Sequence, residues 1–331
     1  MKPNLFDYAT SELSQDAFLC WLLAWAHPDN LSVNSLLHRT GTAFLQALYV
    51  KAGRQAPEVI KSLEITKQNG SIDVLCIVNA ETAIIIEDKT ATSQHSGQLE
   101  RYKNHILSKG YSVENIIPIY MKTGNQSDFS DVIKSGYFIF KRNDLLQILE
   151  PALAESNNNA GDIFADFTAY LRRIEDAVQS YATTPPADWT WHAWEGFFTK
   201  IQEQLNDGNW DYVPNPSGGF LGYWWCFLGD SDCEQYLQLE QEKLCFKISV
   251  ADQARRAELR DFWHNKIMQG AAGFPLTVKR PNRLGHGAYM TVAVLDNDYR
   301  ITDDKGLLDF PKTISVIRSA EAVLKKCVEQ N

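Results

Sequence analysis

The sequence predicts an α/β fold with a mixed sheet flanked by helices, followed by a C-terminal α+β domain built on an antiparallel sheet. Two apolar runs, residues 71–78 and 84–86, are rich in β-branched side chains and are typical of buried strands. Over residues 1–150 the segments follow the order α-α-β-β-β-α-β-β-α, which favours a sheet covered by helices. Residues 183–186, Thr-Thr-Pro-Pro, interrupt a helical pattern and mark a domain boundary.

The chain has 331 residues and is therefore long enough for two domains, each with its own core. We place the first domain at residues 1–182, with a core at 1–150 and an amphipathic helix at about 162–181, and the second at 187–331. The helix at 162–181 could belong to either domain. Since 44% of the residues are hydrophobic and 22% are charged, the composition is that of a globular protein.

The charge balance limits how the protein can contact nucleic acid. Lys and Arg number 32 against 41 Asp and Glu, so the net charge is −9. A protein that grips nucleic acid over a large surface is normally basic, so any such contact is local or needs a partner. The sequence shows no apolar run of membrane-spanning length, no secretory signal and no Cys-x-x-Cys pair among its six cysteines. We expect a cytoplasmic protein with reduced core thiols and no membrane partner.

The first predicted element is a helix whose first turn carries an acid. Thr10 or Ser11 can cap this helix, and Glu12 follows where a carboxylate suits the helix dipole. Residues 17–26 are apolar on nearly every side, which indicates a helix buried in the core. Glu12 is then either a dipole-favouring acid or part of a site. A second helix near residues 32–52 has apolar positions at helical spacing and is expected to serve packing.

The two apolar runs are expected to form a hairpin that ends in charged residues. The short segment 79–82 is turn-like, so the runs pair antiparallel and Asp73 returns beside Glu87 and Lys89. Because residues two apart in a strand share a face, Glu87 and Lys89 point one way and the side chain between them points the other. A loop with an odd number of residues puts Asp73 on their face, and an even loop puts it opposite Asp88.

Two carboxylates that converge beside a lysine are suited to phosphodiester hydrolysis. Carboxylates are hard oxygen ligands for Mg²⁺ or Mn²⁺, and the metal completes its shell with water and substrate phosphate. The metal lowers the pKa of a bound water and neutralises charge on the phosphoryl oxygens. The lysine can orient or deprotonate the water, or stabilise the transition state. The alternative is a surface hairpin that ends in a solvated salt bridge, which stabilises the fold little.

A helix near residues 98–107 follows the hairpin and carries two polar side chains on one face. Gln98 and Tyr102 are four residues apart, which places them side by side on a helix. Either both contact the site, or Tyr102 is part of the core and Gln98 is solvated. The other expected elements of this domain are strands near residues 59–66, 115–120 and 137–140 and a helix near 143–150.

The candidate site residues occur in a fixed order along the chain, namely Asp73, Glu87-x-Lys89 and Gln98-x-x-x-Tyr102. This order resembles the PD-(D/E)xK nuclease superfamily. A branch of small prokaryotic nuclease-like proteins is similar in more detail, because it has a Glu-x-Lys strand, a QLxxY helix and an N-terminal helix that begins with Glu and continues like residues 18–23. The resemblance covers roughly residues 1–150. The Pro in the superfamily's name is absent before Asp73, as it often is in that superfamily.

The resemblance implies a restriction-endonuclease-like fold and a nuclease that uses Mg²⁺ or Mn²⁺, acts on DNA and serves prokaryotic defence. The roles that it implies are metal binding by Asp73, Glu87 and the Asp88 carbonyl, positioning or activation of water by Lys89, support of the metal or its water by Glu12, and orientation of the site or phosphate by Gln98 and Tyr102. The rival interpretation is a non-catalytic binding module that keeps the fold for protein assembly. The intact set of two carboxylates and a lysine argues against that rival.

The C-terminal domain has no catalytic pattern. Its many aromatic residues can stack bases or a ligand, although such residues more often form the core. The basic loop that carries Lys279, Arg280 and Arg283 can meet phosphates or be solvated. We expect this domain to recognise substrate, or a small-molecule or protein activator that gates the nuclease, and a homo-oligomer is compatible with the sequence. Its expected elements are strands near residues 218–228, 235–239, 244–250, 276–278 and 288–295 and helices near 189–205, 255–266 and 313–328.

Overall fold

The computed structural model describes residues 2–69, 71–90, 92, 97–156, 160–215 and 218–329. The chain divides into two compact units, residues 1–176 and 177–331. This division falls inside a helix, Asp162–Gln179. The domain limits placed from the sequence at 1–182 and 187–331 stay predictions. Within the described ranges, no helix is long and apolar enough to cross a membrane.

The first unit is a mixed five-stranded sheet with helices on both faces. The strand order is β1-β2-β3-β4-β5, in which β1, β2 and β3 are antiparallel and β3, β4 and β5 are parallel. The strands are β1 Leu63–Asn69, β2 Ile72–Val78, β3 Thr82–Lys89, β4 Ile116–Lys122 and β5 Phe138–Lys141. The helices are α1 Glu12–Ala24, α2 Ser35–Lys51, α3 Gln98–Ser108, α4 Ser130–Lys134, α5 Arg142–Glu155 and α6 Asp162–Gln179.

The predicted α/β class with a mixed sheet flanked by helices is confirmed. The order of elements differs from the prediction only by the short helix α4 between β4 and β5. Its five residues are too few to show a helical repeat in the sequence. The first strand begins at Leu63, four residues later than residue 59, where the apolar pattern placed its start.

Strand β3 separates two cores because its side chains alternate between the two faces of the sheet. Ile84 and Ile86 pack with residues of α1, α2, α5 and α6 on one face. Ile85 packs on the opposite face with Leu99 and Tyr102 of α3. Helix α1 is buried as its composition predicts, with Leu19, Leu22 and Leu23 fully shielded from solvent. The central position of β3 explains why its apolar run is continuous rather than alternating.

Helices α1 and α2 approach closely at Gly41. A Cβ atom at this position would lie 2.5 Å from the carbonyl oxygen of Leu22 and 2.8 Å from the amide nitrogen of Ala26. We expect Gly41→Ala to lower the free energy of unfolding by about 1–3 kcal/mol, because the two backbones must separate to admit the methyl group. Urea unfolding measures this loss. Gly285→Ala is the matched control, since its Cβ would meet only Met290 Cγ at 3.6 Å, and equal losses in the two variants would refute the prediction.

The second unit is a six-stranded antiparallel sheet with helices packed on one face, which confirms the predicted α+β class. The strand order is β10-β11-β9-β8-β7-β6. Strand β6, a short edge strand, has no counterpart in the prediction. The strands are β6 Asn209–Val213, β7 Phe220–Gly229, β8 Glu234–Glu240, β9 Lys243–Ser249, β10 Val278–Lys279 and β11 Tyr289–Leu295. The helices are α7 Trp191–Leu205, α8 Arg256–Gly270 and α9 Phe310–Glu329.

Candidate active site

The register of the β2–β3 hairpin decides which face Asp73 occupies. Val78 pairs with Thr82, so the loop between them has an odd number of residues, 79–81. The pairing of Val74 with Ile86 then places Asp73 across from Glu87. Of the two alternatives that the sequence leaves open, the structure has the one that brings Asp73 to the face of Glu87 and Lys89.

The charged end of β3 is buried. Glu87, Asp88 and Lys89 are 1%, 0% and 6% exposed, so a solvated salt bridge at a surface hairpin does not describe this site. The Lys89 Nζ lies 2.6 Å from Glu87 Oε1, 3.6 Å from Glu12 Oε2 and 3.7 Å from Asp73 Oδ2. It also donates a hydrogen bond to the Asp88 carbonyl oxygen at 2.9 Å. One lysine is therefore surrounded by three carboxylates and a main-chain oxygen.

The fold disfavours the ionised form of Glu87. Burial, and then the negative charge of Asp73, raise the pKa of Glu87 to about 8, although Lys89 acts in the opposite direction. Its Oε2 is buried and accepts no hydrogen bond from any residue that the structure describes. A buried acid with a free oxygen beside a second acid is an electrostatic arrangement that a cation would relieve.

Lys89 carries a positive charge at neutral pH. Burial alone would lower the pKa of Lys89, but the ion pair with Glu87 and the charges of Asp73 and Glu12 raise it above its ordinary value of 10.5. A charged lysine donates hydrogen bonds and stabilises negative charge, and it does not accept a proton.

Glu12 connects the first turn of α1 to the end of β3. Its Oε1 accepts hydrogen bonds from the Thr90 amide at 3.1 Å and from Thr92 Oγ1 at 2.7 Å. Although partial burial raises the pKa of Glu12, these hydrogen bonds and Lys89 lower it below its ordinary value of 4.5. Glu12 is thus a carboxylate at neutral pH that lies both in the first helical turn and beside Lys89.

Gln98 and Tyr102 form a pair on α3, which begins after Gly97 in the left-handed conformation. Gln98 Nε2 donates to Tyr102 Oη at 2.6 Å, and Tyr102 is 4% exposed in the core between α3 and the sheet. Burial raises the pKa of Tyr102, and the charges of Glu87 and Asp73 raise it further. The hydroxyl therefore lies within the electrostatic reach of the two carboxylates, although the tyrosine also serves the core.

The Asp88 side chain points to the other face of the sheet, towards α1. Gln15 Nε2 donates to Asp88 Oδ1 at 2.5 Å, and Thr123 Oγ1 donates to Gln15 Oε1 at 2.8 Å. Arg142 in turn donates to the Thr123 carbonyl. The Asp88 amide donates to Asp73 Oδ2 at 2.9 Å, which fixes the orientation of that carboxylate. Asp88 can therefore take part in the site through its main chain only.

Sequence reasoning missed three buried polar residues around this end of the sheet. Gln15 and Asp16 lie at the start of α1, and burial followed by the charge of Asp73 raises the pKa of Asp16 to about 7. Lys122 pairs with Lys89 in the parallel β3–β4 register, and its Nζ donates to the Thr92 carbonyl at 2.5 Å. Adjacent polar residues on an otherwise apolar helix were the available signal for Gln15 and Asp16.

Removing the Gln15 amide is expected to destabilise the fold. Gln15→Ala leaves the buried Asp88 carboxyl and the Thr123 hydroxyl without their partner, which costs about 1–3 kcal/mol of unfolding free energy. Urea unfolding at neutral pH measures the change. Ser14→Ala is the control, because the partner of the Ser14 hydroxyl among the described residues is the exposed Ser11 hydroxyl. A Gln15→Ala protein as stable as the Ser14→Ala protein would contradict the expectation.

The donor set at the end of β3 fits a hard divalent cation. In the part of the chain that the structure describes, no group of three or more His, Cys, Asp or Glu side chains is arranged to hold a metal. Asp73, Glu87 and the Asp88 carbonyl supply two carboxylates and one neutral oxygen, and Glu87 Oε2 has no hydrogen-bond partner within the described ranges. Mg²⁺ commonly uses one or two carboxylates and takes its remaining ligands from water and phosphate, so a larger protein cluster is not required.

The basic residues singled out in the second domain lie in the second unit. Lys279 ends β10, and its Nζ is 2.8 Å from Asp296 Oδ1. Lys279 and Arg283 line a cavity of about 470 Å³, whereas Arg280 is not among the residues that line it. These three basic residues thus belong to a different unit from the cluster of Glu12, Asp73, Glu87 and Lys89.

Comparison with known proteins agrees with this geometry. A model of the PD-(D/E)XK nuclease superfamily matches residues 3–171, just over half of the chain and nearly all of the first unit. Neither the curated proteins nor the solved structures give a match. The matched residues include both strands of the hairpin, the Glu-x-Lys sequence and the helix with Gln98 and Tyr102. By its sequence family and by the acidic, lysine-containing end of its central strand, the chain belongs to the PD-(D/E)XK nuclease superfamily.

Proposed function

We propose that the protein is a metal-dependent nuclease that hydrolyses phosphodiester bonds of DNA. The observation that carries this proposal is the buried Glu87 carboxylate, which lies beside Asp73 and the charged Lys89 and has one oxygen that no donor among the described residues reaches. Membership of a superfamily of nucleases supports the reaction class. The carboxylates provide no nucleic-acid affinity of their own, and a bound Mg²⁺ or Mn²⁺ would offset their negative charge.

The residues of the site have distinct roles in this proposal. Asp73, Glu87 and the Asp88 carbonyl would hold the metal, which when bound supplies an acidified water and neutralises phosphoryl charge. Lys89, held in place by its three carboxylate neighbours, orients the attacking water and donates to the phosphoryl oxygen on which charge accumulates. Glu12 accepts a hydrogen bond from that water or from a metal-bound water and keeps Lys89 in position.

Gln98 and Tyr102 belong to the same proposal as residues that orient the site. The 2.6 Å hydrogen bond between them fixes the tyrosine hydroxyl within the field of Glu87 and Asp73. A hydroxyl in this position donates to a phosphate oxygen or to a water of the site. Contact with the nucleic acid is local in this proposal, because the chain has a net charge of −9.

The finer assignments belong to the proposal as well. The N-terminal Glu12, residues 18–23 and the QLxxY sequence of α3 support the branch of prokaryotic nuclease-like proteins, and with it a cytoplasmic role in genome defence. The second unit would recognise the substrate or an activator. Mg²⁺ and Mn²⁺ are equivalent choices for the donor set described above.

A cleavage assay with three nucleic acids tests the proposed function. Wild type and the double variant Asp73→Asn/Lys89→Met are incubated with plasmid DNA, single-stranded DNA and RNA, each with Mg²⁺, Mn²⁺ or EDTA. We expect wild type to cleave DNA in the presence of either metal and to lose the activity in EDTA. The double variant removes one ligand and the lysine, so it is expected to be inactive.

Either of two results would overturn the proposal. Equal cleavage by both proteins would assign the activity to another site or to a contaminant. No cleavage of any nucleic acid, together with melting temperatures that do not respond to Mg²⁺ or Mn²⁺ in either protein, would favour the non-catalytic binding module. Cleavage of RNA alone would keep the nuclease and replace its substrate.

A further inference from the structure

The second unit contains a cavity on the face of its sheet that the helices leave uncovered. On β9, Leu244 and Phe246 belong to the core that the helices cover, so Cys245 between them faces the other side. The cavity lies on this side and has a volume of about 470 Å³. Its walls come from the β8–β9 turn and from the segments 281–283 and 296–300. This volume is within the range of small-molecule sites.

The floor of the cavity is mainly apolar. Cys245 and Val294 are paired neighbours on β9 and β11, and both line the cavity together with Thr291 and Pro281. Cys245 is 1% exposed, which shows that the floor lies deep in the sheet. An apolar floor of this kind can pack against a ring or another weakly polar part of a ligand.

Each carboxylate that lines the cavity lies near a cation. Asp296 is 2.8 Å from Lys279, and Asp298 is 2.7 Å from Arg300. Glu240 lies 3.0 Å from Lys247, and Glu242 lies 3.9 Å from Arg300. Because Arg300 faces two of the acids, three cations offset four acids, and most but not all of the negative charge is balanced.

Two cations that line the cavity lack such a partner. Lys243 lies at the start of β9, and Arg283 lies in the loop after β10. Neither side chain forms an ion pair or a hydrogen bond with any residue that the structure describes. The lining as a whole has four acids and four bases, so it has no net charge. Since the acids each lie near another cation, Lys243 and Arg283 are the exposed lining cations left to bind an anion above the floor.

We infer that this cavity binds a small phosphorylated compound of about nucleotide size. A phosphate between Lys243 and Arg283 would satisfy both cations, since lysine supplies a compact charge and arginine a planar fork for phosphate oxygens. The organic part of the ligand packs on Cys245 and Val294. The site is made only of residues of the second unit, so it does not depend on the proposed nuclease activity.

Isothermal titration calorimetry of the full chain tests this site with three probes, namely ADP, pyrophosphate and adenosine. EDTA is present throughout, which prevents metal-bound phosphate at Asp73 and Glu87 from contributing. ADP and pyrophosphate are expected to bind once per chain, ADP more tightly because of its ring, and adenosine at least about tenfold more weakly than ADP. Both Lys243→Glu and Arg283→Glu should weaken ADP binding by about tenfold or more.

Two control variants make the result specific. Lys325→Glu changes the charge by the same amount on α9, a helix that packs on the opposite face of the sheet, and should bind ADP like wild type. Asp73→Asn/Lys89→Met should also bind ADP like wild type. The inference is overturned if neither phosphorylated probe binds wild type, if Lys243→Glu and Arg283→Glu bind ADP as Lys325→Glu does, or if the double variant in the first unit abolishes binding.

Discussion

Lys89→Met is expected to lower kcat for DNA cleavage by about 10²–10³-fold and to leave KM nearly unchanged. The lysine is held by Glu87, Asp73 and Glu12, so its ammonium group is already placed before the substrate arrives. An interaction that strengthens as charge develops on the phosphate acts on kcat, whereas one that only grips the substrate acts on KM. Methionine keeps the length of the side chain and removes the charge.

Steady-state kinetics with a fluorescent DNA substrate separates these two effects. Lys134→Met is the control, because Lys134 is an exposed lysine that pairs with the exposed Asp131, and its kcat should equal that of wild type. The melting temperature of each variant shows that both are folded. A Lys89→Met protein with wild-type kcat and a raised KM would make Lys89 a residue for substrate binding and not for the chemical step.

Glu87→Gln is expected to stabilise the metal-free protein at pH 8 by a few kcal/mol. The pKa of Glu87 is about 8 in the folded protein against an ordinary value of 4.5, mainly because of burial. The folded state therefore binds this proton more tightly than the unfolded state. Protonation of Glu87 stabilises the fold fully below pH 4.5, and this contribution is lost as the pH rises towards 8. One pH unit is worth about 1.4 kcal/mol, so the loss is on the order of 4 kcal/mol.

Thermal unfolding in EDTA between pH 5 and pH 8.5 measures this effect. Glutamine stays neutral, so the variant should melt above wild type at pH 8, with a smaller difference at pH 5. Mg²⁺ added in excess of the EDTA should raise the melting temperature of wild type and not that of the variant. A ligand that binds only the folded state stabilises that state. Glu81→Gln in the hairpin loop, where the side chain is exposed, should follow wild type. A Glu87→Gln protein that melts below wild type at pH 8 would contradict the expected cost of ionising the buried Glu87 carboxyl.

The strands that carry the site could be predicted because the residue patterns that define them are continuous in the sequence. The uninterrupted β-branched run at residues 84–86 indicates a strand buried on both sides, and the alternation along it separates Glu87 and Lys89 from Asp88. The side on which Asp73 lies could not be predicted. It depends on whether the loop has an odd or even number of residues, and turn composition fixes this weakly.

The supporting contacts could not be predicted for a different reason. Gln15 reaches Asp88 across 73 residues, and Thr123 reaches Gln15 across 108. Hydrophobic periodicity reports which face of an element is buried, but it does not report which polar groups meet when distant elements pack. The role of Glu12 is implied by the resemblance, whereas the adjacent polar residues Gln15 and Asp16, one turn later, show only that polar groups interrupt an apolar helix and do not identify their partners.

The position of β3 between β2 and β4 has a consequence for synthesis on the ribosome. The hairpin that contains Asp73, Glu87 and Lys89 emerges before β4, which can pair with β3 only after the crossover through α3. Until residue 123 has emerged, the edge of β3 is open and Gln15 lacks its partner Thr123. The nascent chain therefore completes the contacts of Asp88, Gln15 and Thr123 only with the non-local pairing of β3 and β4. Growing chains released before that point would lack both the parallel neighbour of β3 and the Thr123 contact of Gln15.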